Sequence, residues 1–454
     1  MSTPKRLDKL ICAAPAALLG ALAILMEWRA MYHNAPHLRV PGLISAGLAA
    51  LLLLTAEFSV GWLHRLQRAA SILIINTAII FGLAEVVCRV ARVDFNVILG
   101  LKEKNEGFPI FFRLPDQPIG DVFFARKGPA SWTGKPLTVM MQNHRGNDDT
   151  YRDEKEITIT YDKDGFRNPD DLKDWDIAIT GDSFTESGYL PYEDLYTTQL
   201  GKMIGKRVKN LGVSDTGNFS QASYLRAYGL APSCRTAVLA FFEGNDLDDN
   251  INELRELKEF RSTGERPCRD IGRESSLLKT LYRFARDFRK MNFRPRSYAN
   301  ATFVFNGREI PFTIADAPQA PDMMSVDQKK SFHEALETWA RSCKESGVDA
   351  VLLYIPCKRR VFHGHLKHGS DYPEPDWQLN DLPAFVTREA NVLGIRCIDS
   401  TPALTELAAK GVLTYNPIYD THLNKEGHRV VAEVLADALR SGVPAQPAIG
   451  VSSR

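Results

Sequence analysis

The sequence predicts a chain of two parts: a short run of transmembrane helices, followed by an α/β domain built on a parallel five-stranded sheet. Three observations predict it. Only 12 of the first 91 residues are charged, against 99 of the other 363. From residue 175, strand-length apolar runs alternate with helical periods, which is typical of a parallel sheet with helices on both faces. At 454 residues the chain is also too long for one ordinary core.

The low charge of the N-terminal part predicts a membrane anchor over residues 1–91. It contains three uncharged stretches, Leu10–Met26, Val40–Ala56 and Ala69–Ala84, and each continues past a glutamate near its end. A spanning helix needs about 20 mostly apolar residues, with a lower limit of about 17, so we expect three spans and a lipid bilayer as partner. A soluble helical bundle is one alternative. A signal peptide on the first stretch is another, and it would still leave two spans.

Five apolar runs without polar alternation predict the strands of the sheet, because parallel strands are buried on both faces. These runs are Asp176–Thr180, Val208–Gly212, Ala237–Phe242, Ala350–Ile355 and Gly394–Ile398. Helical periods are clearest at Asp194–Ile204, Gln221–Leu230, Asp327–Ser346, Leu382–Leu393 and Lys425–Leu439. The α/β domain is therefore predicted over residues 175–442, followed by a flexible tail at 443–454.

Two regions depart from this alternation. Residues 92–174 predict an irregular lead-in with some β-structure, clearest at the alternating run Glu156–Tyr161. Residues from about 250 to 324 predict an insertion, which either covers the site or is a solvated excursion. It contains a charged helical stretch, a basic amphipathic stretch and a β-like piece, at Glu253–Arg261, Leu277–Met291 and Thr302–Phe305.

Polar residues follow two of the predicted strands and precede the last helix. Ser183 follows the first strand, at the end of the sheet where parallel strands place ligands. Asn245 follows the third strand, and Asp420 and His422 lie directly before the last helix. A His held by a carboxylate is the base half of a serine triad. Each signal alone is as well explained by a turn or a helix cap, but together they predict a nucleophile, an oxyanion donor and a base.

These blocks resemble those of the SGNH (GDSL-type) hydrolase superfamily, which contains three-layer α/β/α esterases and acyltransferases. The resemblance covers about Trp175–Leu439. Gly181-Asp182-Ser183-Phe184 matches the nucleophile block, with Phe184 where many members have Leu, and Gly244-Asn245-Asp246 matches the oxyanion block. Asp420-Thr421-His422 is shorter than the usual Asp-x-x-His, and is similar to the spacing in SGNH-like enzymes that O-acetylate exopolysaccharides.

The resemblance implies a role for each of these residues. Ser183 is the nucleophile, His422 the base and Asp420 the residue that orients the imidazole. The oxyanion is held by the Ser183 N–H, by the Asn245 side chain and by one backbone N–H of the family's glycine block.

The glycine block departs from the family pattern. Many relatives carry Gly five residues after Asn210, where this chain has Asp215. We assign the second backbone N–H to Gly217. Gly212 and Asp215 itself are the alternatives, because any residue except Pro has this donor.

Basic residues at the end of another strand bear on the substrate. Lys358 and Arg359 leave the carboxyl end of the predicted strand Ala350–Ile355, so they can line the cleft and bind an anionic substrate such as a uronate. A solvated basic loop is the alternative. Three nearby histidines have no carboxylate or cysteine around them, which favours a surface loop over a metal site; they are His363, His365 and His368. We expect no metal and no cofactor.

The leading functional hypothesis is a membrane-anchored serine ester hydrolase that acts on O-acyl, most simply O-acetyl, esters of cell-envelope carbohydrate. The second is an O-acetyltransferase that modifies extracellular polysaccharide with the help of a multi-span membrane partner. The third is a non-catalytic glycan-binding protein. A net charge of +1 gives no basic field for nucleic acid. The odd number of spans and the envelope-facing relatives predict a periplasmic domain at the bacterial inner membrane.

Overall fold

The computed structural model describes residues 61–90, 116–119, 123–143, 148–264, 299–369 and 376–441. The chain divides into two compact units, one of Met1–Glu103 and Arg269–Arg294, the other of Lys104–Cys268 and Pro295–Arg454. Several predicted features lie outside the described residues: the apolar stretches Leu10–Met26 and Val40–Ala56, the amphipathic stretch Leu277–Met291 and the tail.

The described element of the first unit is helix α1, Gly61–Val90. It contains the predicted span Ala69–Ala84 and exposes apolar side chains, among them Leu73, Leu83 and Val87. In the ranges that the structure describes, no helix combines the length and the apolar character needed to cross a membrane. The structure therefore does not support the span predicted in α1, and the two stretches before it stay predictions.

The lead-in contains two antiparallel strand pairs. Strand β1 (Asp116–Ile119) pairs with β2 (Phe123–Arg126), and β3 (Ala130–Gly134) pairs with β4 (Ile157–Tyr161). Helix α2 (Pro136–Asn143) follows β3. Strand β4 is the alternating run of the sequence, and its buried side chains alternate with exposed threonines, which agrees with the β-structure predicted there.

The remaining strands belong to the α/β domain. They are β5 (Ile177–Gly181), β6 (Val208–Gly212), β7 (Thr236–Phe242), β8 (Ala301–Phe305), β9 (Arg308–Phe312), β10 (Asp349–Ile355), β11 (Leu366–His368) and β12 (Arg396–Asp399). Five of them form a parallel sheet in the order β12–β10–β7–β5–β6. They are the five predicted strands, with small shifts at their ends, so the predicted sheet is confirmed.

Most helices of this domain lie between the strands, and two follow β12. They are α3 (Ser183–Glu186), α4 (Tyr196–Ile204), α5 (Asn218–Tyr224), α6 (Asp246–Thr263), α7 (Val326–Glu345), α8 (Lys358–Phe362), α9 (Leu382–Val392), α10 (Thr401–Ala409) and α11 (Lys425–Ser441). The five predicted helices correspond to α4, α5, α7, α9 and α11. Helix α5 ends early because the chain continues as a π-turn over Leu225–Gly229.

The sheet separates two apolar cores, because successive side chains of a strand point to opposite faces. On one face Val238 and Leu353 pack with side chains of α4 and α11. On the other face Leu239 and Leu352 pack with α5 and α7, where Trp339 is fully buried. The domain therefore has three layers, α/β/α.

The described parts of the predicted insertion pack against the domain. Helix α6 begins at Asp246, before the predicted boundary, and buries Glu253. Strands β8 and β9 form a hairpin that β11 extends to three antiparallel strands. Phe303 and Phe312 of this hairpin contact Phe362 of α8 in the core. These parts are therefore not a solvated excursion.

Candidate active site

Ser183 lies where β5 ends and α3 begins. The Asp182 carboxylate caps α3 by accepting a hydrogen bond from the Phe184 N–H at 2.9 Å. Glycine is required at position 181, because a Cβ on Gly181 would lie 2.1 Å from Thr185 Oγ1. Ser183 is partly exposed while its neighbours in the turn are buried, so the turn presents its hydroxyl at the carboxyl end of the sheet.

The structure brings the three predicted triad residues into one hydrogen-bonded chain. Ser183 Oγ lies 2.9 Å from His422 Nε2, and His422 Nδ1 lies 2.6 Å from Asp420 Oδ1. Because an ionised carboxylate can only accept, we assign the proton to Nδ1 and the lone pair to Nε2, where it faces the serine hydroxyl. In this tautomer the imidazole can act as a general base toward Ser183.

The short Asp-x-His spacing still allows a triad, because Asp420 uses both of its carboxylate oxygens. Oδ1 holds the imidazole, while Oδ2 accepts from the His422 backbone N–H at 3.3 Å and from Asn416 Nδ2 at 2.6 Å. Tyr419, immediately before, has a left-handed φ of 67°, a strained conformation of the kind that concentrates at functional sites. This tight turn lets the acid reach Nδ1 across one intervening residue.

Charge and burial oppose each other in the Asp420–His422 pair. Burial raises the pKa of the Asp420 carboxyl, but the His422 charge and the hydrogen bonds from His422 and Asn416 outweigh it and lower that pKa below its usual value. Burial lowers the pKa of the His422 imidazole, but the Asp420 charge and hydrogen bond outweigh it and raise that pKa. The pair therefore stabilises the imidazolium that forms when His422 takes a proton.

Aromatic rings fix the plane of the imidazole. The His422 ring centroid lies 4.7 Å from that of Phe184 and 4.9 Å from that of Tyr189. Phe184 in turn stacks on Phe242 at 3.7 Å. Phe184, where many members of the resembled family have Leu, therefore makes a ring contact with the base.

Lys358 does not line a cleft, contrary to its predicted role in substrate binding. Its side chain is buried, lies 4.0 Å from the centroid of the Phe312 ring, and donates to the carbonyls of Pro417 at 2.8 Å and Asp420 at 3.3 Å. A third carbonyl, that of Asn416, also accepts from it. Burial lowers the pKa of Lys358 to about 7. Lys358 therefore holds the loop that carries the acid and the base.

Arg359 is also buried, with 1% of its surface exposed, which contradicts the predicted cleft-lining position. The next residue, Arg360, forms a buried ion pair with Glu243 at 2.7 Å. The cleft-lining prediction is wrong because α8 buries these side chains as the chain leaves β10. His363 and His365 lie in a 3-10 turn after α8, and His368 lies in β11. The described residues hold no group of three or more side chains suited to a metal ion.

Asn245 precedes the first turn of α6, at the end of β7, as predicted. Its Nδ2 donates to Asp249 Oδ2 at 2.6 Å. Because an amide nitrogen carries two N–H donors, this bond fixes the side chain and leaves one donor for a ligand. In the described part of the chain, the backbone N–H of Ser183 has no acceptor either. Two of the three predicted oxyanion donors are therefore available.

The third predicted donor is not available. The Gly217 N–H donates to Glu253 Oε1 at 2.9 Å, and the Gly212 N–H donates to Asn210 Oδ1 at 2.8 Å. Asp215 has a left-handed φ of 60°, and its N–H has no acceptor among the residues the structure describes. The assignment to Gly217 is therefore wrong, and Asp215, at the position where relatives carry glycine, is the backbone donor that remains.

Buried carboxyls near the oxyanion donors were not predicted. Burial raises the pKa of Asp249 to about 7, and the charge of Asp182 adds to the effect. Burial also raises the pKa of Asp182 to about 6 and that of Asp246 well above its usual value. Carboxyls that are partly neutral at pH 7 repel a developing oxyanion less than ionised ones would. The acidic first turn of α6 was the only sequence signal for them.

A second serine–histidine pair lies deeper in the domain. His428 is fully buried, and its Nε2 lies 3.1 Å from Ser187 Oγ. Its Nδ1 accepts a hydrogen bond from the Tyr196 backbone N–H at 3.0 Å. Burial lowers the pKa of His428 to about 3. Among its described partners there is no carboxylate, so this pair is not a triad.

A three-layer α/β/α domain with its serine after a central strand and its Asp–His pair before the last helix is the arrangement that the resemblance to SGNH hydrolases implies. Residues 319–451 match the family model described as "SGNH hydrolase-like domain, acetyltransferase AlgX". The match includes Asp420 and His422 but begins after Ser183 and Asn245. Over these residues the chain therefore matches an SGNH hydrolase-like domain, which agrees with the resemblance seen in the sequence.

Several solved structures are similar to part of the chain. A G-D-S-L family lipolytic protein from Desulfitobacterium hafniense DCB-2 has 13% identity and a TM-score of 0.29, covering 58% of this chain and 98% of its own. An acetyl xylan esterase from Geobacillus stearothermophilus has 11% identity and a TM-score of 0.31, covering 57% and 92%. TM-scores this low say nothing about function. No curated protein sequence matches the chain.

Proposed function

We propose that the chain is a serine acyltransferase that forms an acyl-enzyme on Ser183 and passes the acyl group, most simply acetyl, to a carbohydrate hydroxyl. The observation that carries the proposal is the continuous hydrogen-bonded chain from Ser183 through His422 to Asp420, at 2.9 and 2.6 Å. A glycan-binding protein without catalysis would have no use for a base aligned on a partly exposed hydroxyl.

The chemistry follows from the positions of the donors and acceptors. His422 Nε2 takes the Ser183 proton while Oγ bonds to the ester carbonyl carbon, and the carbonyl oxygen becomes an oxyanion. The N–H groups of Ser183 and Asp215 and the free Asn245 N–H hold this oxyanion. The bond to the leaving alcohol then breaks, and that alcohol takes the proton from His422. The same steps with an acceptor hydroxyl regenerate Ser183 and release the new ester.

Two features favour transfer over the hydrolysis that the sequence first suggested. The family model that matches residues 319–451 is described as an acetyltransferase, and the Asp420-x-His422 spacing is similar to that of polysaccharide O-acetylating enzymes. Hydrolysis is the second candidate, because Ser183 is partly exposed and the same acyl-enzyme can be attacked by water.

The test incubates the full-length protein with a chromogenic acetate ester, with and without a neutral oligosaccharide. A transferase consumes the ester faster when the sugar is present, and acetylated sugar accumulates. Release of free acetate at a rate that the sugar does not change would establish the hydrolase instead. The Ser183→Ala variant, which must lose both activities, serves as the control for background acetylation.

We also propose that the α/β domain faces the periplasm and receives its acyl group through a multi-span membrane partner. The proposal depends on the uncharged stretches of residues 1–91 and on the need of a transferase for an acyl donor. A cysteine introduced at the exposed position Lys344 (Lys344→Cys) should react with an impermeant thiol reagent in cells whose inner membrane is intact. Reaction only after lysis would place the domain in the cytoplasm.

A further inference from the structure

Asp316 brings a carboxylate to the active site from the segment between β9 and α7, before the residues that match the family model. Its carboxyl carbon lies against Gly244: a Cβ placed on that glycine would be 2.9 Å from Asp316 Cγ. Gly244 directly precedes Asn245, so the carboxylate lies beside the oxyanion donors. Asp316 is partly exposed, so its oxygens can be reached by a ligand.

The segment that carries Asp316 is fixed to the loop of the acid and the base. The Thr313 N–H donates to the Pro417 carbonyl at 2.8 Å, and Thr313 Oγ1 accepts from the Tyr419 N–H at 3.2 Å. Asn300 binds both backbone groups of Ile314, at 2.6 and 2.8 Å. The backbone just before Asp316 is therefore anchored to the loop of the acid and the base.

In the described residues, the Asp316 carboxylate has no hydrogen-bond or ion-pair partner. Burial raises its pKa, and the charges of His422, Arg359 and Lys358 act against this from a distance. Lys358 is already committed to backbone carbonyls. Removing a carboxylate from water costs free energy when no hydrogen-bond donor replaces the water. A hydrogen-bond donor on a bound ligand would offset this desolvation cost.

We propose that Asp316 is a substrate-binding residue whose carboxylate accepts a hydrogen bond from a hydroxyl of the carbohydrate next to the reacting oxygen. This inference rests on the proposed function and specifies its substrate class, a neutral sugar with a neighbouring hydroxyl. A uronate would bring a second carboxylate toward Asp316, while Lys358 and Arg359 are buried and Lys358 already donates to backbone carbonyls. The anionic substrate suggested by the sequence is therefore disfavoured.

The test compares Asp316→Ala and Asp316→Asn with Asp322→Asn, an exposed carboxylate on the same segment, in the full-length protein. Three probes are used: a chromogenic acetate ester, a neutral xylo-oligosaccharide and an oligogalacturonate. Loss of a hydrogen bond to a charged group should raise the KM of Asp316→Ala for the neutral sugar about 10–100-fold. This increase in KM for the neutral sugar should be at least about tenfold larger than any increase in KM for the chromogenic ester, because that ester has no neighbouring hydroxyl. Asp322→Asn should behave as the wild type.

Asp316→Asn removes the charge and keeps the shape of the side chain. The ratio of KM for the uronate to KM for the neutral sugar should therefore be at least about fivefold smaller in this variant than in the wild type. An unchanged KM for the neutral sugar in Asp316→Ala would overturn the inference. Equal losses with all three probes would also overturn it, because they would make Asp316 a residue that only supports His422. If the wild type itself does not turn over the chromogenic ester, the proposed function fails, and this outcome is separate from either result with the variants.

Discussion

The described part of the domain contains two serine–histidine hydrogen bonds, Ser183–His422 at 2.9 Å and Ser187–His428 at 3.1 Å. They differ at the other nitrogen of each imidazole. His422 Nδ1 faces the Asp420 carboxylate, whereas His428 Nδ1 accepts from a backbone N–H. The two rings are therefore in opposite tautomers: Nε2 of His422 is an acceptor, and Nε2 of His428 is a donor.

This difference shows that the group bound to Nδ1 of the imidazole decides whether a serine–histidine pair can act as nucleophile and base. Because His428 Nε2 carries a proton, it cannot take one from Ser187, whose hydroxyl is already donated to the Phe184 carbonyl at 2.8 Å. Burial without a carboxylate also keeps His428 neutral. The second pair is structural, since it joins the nucleophile helix α3 to α11.

The largest expected effect separates the two serines. Ser183→Ala should lower turnover of the acetate ester by about 10⁶-fold, the loss typical of a triad nucleophile, because it removes the hydroxyl that faces His422 Nε2. Ser187→Ala removes a buried hydrogen bond and should mainly lower the free energy of unfolding, by about 1–3 kcal/mol. Steady-state kinetics and thermal unfolding of both variants test this. Comparable losses of turnover in the two would contradict the distinction.

Asp420→Asn should make His422 resemble His428. The amide can donate to Nδ1, which favours the tautomer with its proton on Nε2, and turnover should fall by about 10⁴-fold. In the wild type the raised pKa of His422 places the rise of kcat/KM with pH above the usual histidine value of about 6.5. Removing the carboxylate should move the midpoint to lower pH. A midpoint that stays in place would show that Asp420 does not set the pKa of the base.

Asn245→Ala should weaken the enzyme by about 10²–10³-fold in turnover and leave it folded. The reason is that one of three oxyanion donors is lost while the triad stays intact. Gly217→Ser is an unsuitable comparison, because a Cβ there would lie 2.8 Å from two buried side-chain oxygens. Asn252→Ala, at an exposed position on the same helix, is the control. Equal rates in Asn245→Ala and the wild type would show that Asn245 forms the turn but does not hold the oxyanion.

The smallest effect on rate should come from His428, which acts on stability. Its folded pKa of about 3 lies below the unfolded value of about 6.5, so only the unfolded chain binds the proton between these values. The contribution of His428 to the free energy of unfolding should therefore be full above pH 6.5. It should fall by up to about 1.4 kcal/mol per pH unit as the pH drops toward 3. His428→Gln should lower stability at pH 7 and flatten this acid slope. An unchanged slope would mean that other groups cause it.

The sheet could be predicted because each of its strands is a short apolar run that is buried on both faces. Ser183, Asn245, Asp420 and His422 could be predicted because each block is local in the sequence. Gly217 could not, since its N–H is claimed by Glu253 from another helix.

Lys358 and Asp316 show the same limit. A lysine after a strand reads as exposed, and only the fold shows that it binds carbonyls about 60 residues away in the sequence. Asp316 carries no motif, and its place against Gly244 depends on how the hairpin packs. Hydrogen-bond partners that are distant in the sequence leave no local pattern.

The most direct test of the account is to find which serine carries the acyl group. Full-length protein is mixed with a chromogenic acetate ester, quenched in acid within the first turnover, digested and examined by mass spectrometry for an acetyl adduct. We expect acetylation of Ser183, none on Ser187, and no adduct in Ser183→Ala. An adduct on Ser187, or one that persists on another residue in Ser183→Ala, would contradict the claim that the carboxylate partner of His422 selects the nucleophile.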